Sequence, residues 1–95
     1  MSKYYETKNK NEFGVPMVIE TFDDDMQYGF YWKGDNEKWK TSDCGTKSAV
    51  MGRLQRLIVR CTQIMIAHQI YGYKKSSEAK EIKIYKELMC ALEDM

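Results

Sequence analysis

From Gln27 to Lys33 the chain alternates. Tyr28, Phe30 and Trp32 fall on one face, and Gln27, Gly29, Tyr31 and Lys33 on the other. That is the period of a half-buried β-strand. Met17-Val18-Ile19-Glu20-Thr21-Phe22 precedes it and also predicts a strand, being rich in β-branched residues. Asp23-Asp24-Asp25 separates the two as a loop, since a run of aspartates suits neither helix nor sheet. Gly34-Asp35-Asn36 is a turn signal, and Glu37–Thr41 predicts a third short strand with Trp39 inward and Lys38 and Lys40 outward. The simplest product is a three-stranded antiparallel meander. Residues 1–13 are polar and show no period, so they predict a mobile arm or a weak edge strand ahead of one domain over 14–95.

After Ser42-Asp43-Cys44-Gly45 the period changes from 2 to 3.6. Thr46 is placed to cap a helix that runs to about Tyr71, some 26 residues or ~39 Å. Gly72 ends it, and Ser76 or Ser77 caps a second helix that continues almost to Met95. Glu78 and Glu81 stand in its first turns, where the helix dipole favours acids. The predicted class is therefore α+β, in the order β-β-β-α-α, with the long first helix packed on the sheet.

On a helical wheel the first helix gathers Val50, Leu54, Leu57, Ile58, Cys61, Ile64 and Met65 into one apolar arc, with His68 at its centre. This arc is expected to cover the aromatic face of the sheet. A second apolar stripe, Val59, Ile66 and Ile70, is spaced at 7 and 4 residues on the opposite side. A helix apolar on two sides has to be covered on two sides. The expectation is that the second helix covers part and a second copy of the chain the rest, which makes a homodimer. A third face is basic. Arg53, Arg56 and Arg60 follow one another at i, i+3 and i+7, and Lys47 lies near the start of the helix. A charge run is ordinarily a solvated face. Arginine, however, is the residue suited to bidentate capture of phosphate or carboxylate. The second helix is an ordinary amphipathic one, with Tyr85, Leu88, Met89 and Leu92 on one side and an i,i+4 pair, Lys83 and Glu87, on the other.

Charge changes this picture more than composition does. The 95 residues are 43% apolar and 31% charged, with a net charge of +1, as in an ordinary soluble domain. The first 45 residues nevertheless carry 6 bases and 9 acids, and the last 50 carry 9 bases and 5 acids. Asp23, Asp24 and Asp25 form an acidic loop expected to face a partner. From Cys44 to Ser77 no acid occurs, so no i,i+4 acid stands within the first helix. The chain is dipolar beneath a near-neutral total.

Candidates for catalytic chemistry are few. Cys44, Cys61 and Cys90 are odd in number and widely spaced, which excludes a disulfide framework. With His68 they lack the close pairs of a structural zinc site. Cys44 precedes a helix N-terminus, where a thiolate is stabilised, but only His68 is available as its base. No glycine-rich phosphate loop, H-E-x-x-H or G-x-S-x-G occurs. Adjacent aspartates do not reproduce the alternate-residue spacing of a calcium loop. No enzyme, cofactor or metal is expected.

With neither a signal peptide nor a membrane span in the sequence, the expected setting is the cytoplasm, that of the host cell if the chain is phage-encoded. The expected function is that of a small binding protein that covers a surface on another protein. A composition rich in Lys, Ile and Tyr suits an AT-rich genome. It points to a phage or mobile-element accessory protein that inhibits a host defence or regulatory protein. Two other readings compete. One is a nucleic-acid-binding regulator that uses the Arg stripe or an outer sheet face of Lys33, Lys38, Lys40 and Tyr31. The other is a nucleotide-signal-binding protein whose arginines hold phosphates while tyrosines stack on the base.

Overall fold

The computed structural model describes residues 3–22, 24–34, 44–70 and 77–95. Four strands, β1 (Tyr4–Glu6), β2 (Met17–Phe22), β3 (Gln27–Trp32) and β4 (Cys44–Gly45), lead into two helices, α1 (Lys47–Ile70) and α2 (Glu78–Asp94). The sheet order is β1-β2-β3-β4 and every pairing is antiparallel. The α+β class, the meander and the helix pair are as the sequence predicts. Among the described residues the strands number four, where the sequence predicts three over the whole chain.

Two strands account for the difference. Tyr4, Tyr5 and Glu6 pair with Glu20, Ile19 and Val18, so this stretch is an edge strand. Cys44–Gly45, read from sequence as loop, pairs with Gly29 and Tyr28. The chain passes directly from this bridge into α1 because Gly45 adopts φ +154°, which L side chains rarely take. The predicted strand Glu37–Thr41 lies outside the described residues.

The register of β2 on β3 sets the two sheet faces. Met17 opposes Trp32, Ile19 opposes Phe30 and Thr21 opposes Tyr28, so these share the inner face with Tyr5. Met17, Ile19 and Phe30 form one core with Val50, Leu54 and Cys61 of α1 and Ile84, Tyr85, Leu88 and Leu92 of α2. The helices run antiparallel. Cys61 Sγ meets Glu81 Oε2 at 3.5 Å, and Lys47 Nζ reaches the carbonyls of Glu93 and Met95 at 3.3 and 3.2 Å.

The first helix packs on the sheet as predicted, through its N-terminal half. α1 touches β3 and β4 and α2 touches β2, while the largest contact joins the two helices. Beyond Cys61 no residue of α1 is fully buried, and Ile64, Met65 and His68 are half-buried. The reason is length. Twenty-four helical residues span ~36 Å, whereas six-residue strands span only ~20 Å. At the start of α1, Thr46 caps as expected, its Oγ1 accepting from Ala49 N at 3.2 Å.

The outer sheet face is occupied by its own groups. Tyr31 is 9% exposed and its hydroxyl donates to Glu20 Oε1 at 2.9 Å. Lys33 Nζ lies 2.7 Å from Glu6 Oε1. Of the basic-aromatic face expected there, Tyr31 is therefore turned to Glu20 and Lys33 is paired with Glu6. Lys38 and Lys40 lie outside the described residues.

Candidate functional site

Among the described residues, the outer face of α1 is left uncovered. Its wheel position is diametrically opposite Val50, Leu54 and Cys61, the residues α1 buries in the core. Val59, Ile66 and Ile70 are 55%, 51% and 73% exposed there. Gly52, Gln55, Arg56, Val59, Arg60 and Gln63 line a shallow groove of about 440 Å³ along the same face. The residues recur at 3, 4 and 7, so they form one stripe over about five turns. Gly52 opens its N-terminal end, since a Cβ there would meet nothing within 4 Å.

The residues predicted from sequence are distributed unevenly over this geometry. Arg56 and Arg60 belong to the groove, and so does Val59, which the wheel assigned to a separate stripe. The two stripes are one mixed apolar and basic surface, because long arginine side chains reach across to the aliphatic row. Arg53 is half-buried and does not line the groove. Lys47 is not part of it either. Its ammonium serves the C-terminal carbonyls of α2, which favour a cation. Of the acidic loop, Asp23 lies outside the described residues. Asp24 is exposed, while Asp25 is half-buried and accepts a hydrogen bond from the Thr21 hydroxyl. Asp24 and Asp25 both take left-handed backbone, φ 54° and 64°, a conformation aspartate tolerates better than most residues. Among the described residues neither aspartate forms an ion pair with Arg56 or Arg60.

Compared with family models, curated proteins and solved structures, the chain returns no match. Its own chemistry is what remains to be read. Among the described residues no three His, Cys, Asp or Glu side chains come together to hold a metal ion, and no helix is long and apolar enough to cross a membrane.

A smaller cavity of about 210 Å³ lies between the helices, lined by Leu57, Arg60, Cys61, Ile64, Glu81 and Tyr85. Its polar lining includes the Cys61–Glu81 pair. Burial first, then the bond to Glu81 and its charge, push the Cys61 thiol up to about 11. A thiol so placed is no nucleophile at neutral pH. Cys44 stands before α1 and His68 in its last turn, about 30 Å apart along the helix, so they form no catalytic pair. Thiol titration at about pH 8 is therefore expected to modify exposed Cys44 and Cys90 quickly and Cys61 only on unfolding. Three equally fast thiols would show that the interhelical packing is wrong.

Sequence reasoning missed Glu87, whose carboxylate binds the N-terminal arm rather than Lys83. It accepts from the Tyr5 hydroxyl, from Lys8 N at 2.7 Å, from Asn9 N at 2.9 Å and from Asn9 Nδ2 at 2.8 Å. No local pattern signals this, since the partners are 78 to 82 residues apart.

Proposed function

We propose that the protein is a non-enzymatic binding protein that covers a surface on another protein, with the outer face of α1 as its contact. The observation that carries this reading is the exposure of Val59, Ile66 and Ile70 in line with Arg56 and Arg60. The opposite side of the same helix is already filled by the sheet and α2. Aliphatic side chains aligned over several turns and flanked by arginine are the composition of an interface core and rim. Within this class, the Lys-, Ile- and Tyr-rich composition favours an accessory or inhibitor protein of a phage or mobile element, directed at a host protein.

Val59→Asp with Ile66→Asp tests the reading. Both positions are exposed, so unfolding free energy is expected to change by no more than about 0.5 kcal/mol. Retention of a partner from the native host is expected to be lost. If the doubly substituted protein retains the same partner as the natural one, α1 is not the contact. A partner that is nucleic acid, released by Arg56→Ala with Arg60→Ala and by salt, would put the regulator reading in its place.

A further inference from the structure

The stripe on α1 also carries information about the chemistry of what covers it. Resting on the reading of α1 as the contact, we infer that the occupant is an acidic amphipathic helix of another protein, about five turns long. Length comes first. From Gly52 to Ile70 the stripe runs ~27 Å, too long for a single anchoring residue and matched by a helix of similar length. Spacing comes second. Val59, Ile66 and Ile70 stand at 7 and 4, the spacing by which one helix receives the apolar residues of another. Gly52 comes third. It weakens α1 as a helix, no described residue comes within 4 Å of a Cβ placed there, and that space admits a close neighbour.

Charge decides which helix. Arg56 and Arg60 flank the aliphatic row, and α1 contains no Asp or Glu. Two copies of α1 facing one another would bring four arginines together with no counter-charge from either helix, the arrangement that flanking charges select against. The acidic turn of a second copy is a poor substitute, because Asp25 is spent on Thr21 and a turn cannot cover five helical turns. A phosphate backbone would satisfy the arginines and leave three exposed aliphatic side chains with nothing to bury against. A helix with Leu or Ile in a stripe and Glu or Asp beside it satisfies both.

The test uses the whole protein and three synthetic 22-residue helical peptides. They share one leucine stripe and differ in their flanking residues, all Glu, all Gln or all Lys. A 22-base-pair duplex is the fourth probe. Fluorescence anisotropy is expected to rank Glu above Gln above Lys, with salt weakening the Glu peptide most. Arg56→Ala with Arg60→Ala is expected to lower affinity for the Glu peptide by about tenfold and leave the Gln peptide little changed. Val59→Asp with Ile66→Asp is expected to abolish binding of both. Equal binding of the Glu and Lys peptides, no binding of any peptide, or tighter binding of the duplex would overturn the inference. So would a dimer in sedimentation that Val59→Asp dissolves, since the face would then belong to a second copy. If the peptides fail while host-partner retention still depends on Val59 and Ile66, only the acidic helix is wrong. If both fail, α1 is not the contact at all.

Discussion

Leu88→Ala is expected to lower the unfolding free energy by about 3 kcal/mol, within the 2–5 kcal/mol range for a buried leucine. Leu88 is fully buried, 0% exposed, in the one cluster that unites Ile19 and Phe30 of the sheet with Leu54 of α1 and Ile84 and Leu92 of α2. Truncation there removes apolar burial and leaves a void that sheet and helices are poorly able to close together. A domain of this size has roughly 5–14 kcal/mol in all. The variant should therefore still fold, with a midpoint lowered by roughly 12–20 °C. Urea unfolding should show a lower midpoint at unchanged slope, because the surface exposed on unfolding is nearly the same. Val59→Ala is the internal contrast, with an expected change below about 0.5 kcal/mol. A loss under 1 kcal/mol at Leu88 would mean that α2 does not close the core. A large loss at Val59 that grows with protein concentration would mean that its face is buried between copies.

That contrast also marks what the sequence made legible. Strands β2 and β3 could be read because Tyr28, Phe30 and Trp32 keep a strict period of 2, and the start of α1 because Thr46 precedes a 3.6-period run. The exposed row of Val59, Ile66 and Ile70 could be read for the same reason, since periodicity reports which residues share a face. Its union with Arg56 and Arg60 could not. A wheel records Cβ directions, and a groove depends on how far side chains extend from them. Lys47 looked like a phosphate ligand because a wheel omits the neighbouring helix, and the antiparallel turn of α2 places two carbonyls beside it. β4 was illegible, and β1 was left between arm and edge strand, because two and three residues are too short to display a period. Their existence depends on pairing partners and, for the arm after β1, on a carboxylate near the other end of the chain.

That carboxylate makes the second prediction, which has two limbs in pH. Glu87→Ala is expected to cost about 1–2 kcal/mol, and Glu87→Gln about half of that, since the amide keeps one acceptor oxygen. Glu87 accepts four hydrogen bonds, two from the backbone amides of Lys8 and Asn9. Removal hands these exposed donors to water and frees the arm from α2. Burial alone would raise its pKa, but the bonds from Tyr5, Asn9 and Lys8 outweigh that, and the net direction is below the ordinary 4.5. A carboxyl lowered on folding stabilises the native state fully above its unfolded value. That contribution disappears as pH falls through the folded one. The gap between the natural protein and Glu87→Gln should accordingly be constant above about pH 5 and narrow in acid.

The Tyr5 phenol moves the other way, raised above 10 by its bond to Glu87, then by burial and by the charge of that carboxylate. A phenol raised on folding stabilises below its unfolded value and ceases to do so as pH rises through the folded one. Tyr5→Phe should therefore differ from the natural protein by a constant amount up to about pH 10 and converge with it in stronger base. Urea unfolding across the pH range reads both limbs. If the Glu87→Gln gap persists undiminished in acid, the carboxylate is not what the arm binds. If Glu87→Gln leaves the alkaline limb of Tyr5 untouched, the two groups are not partners in solution.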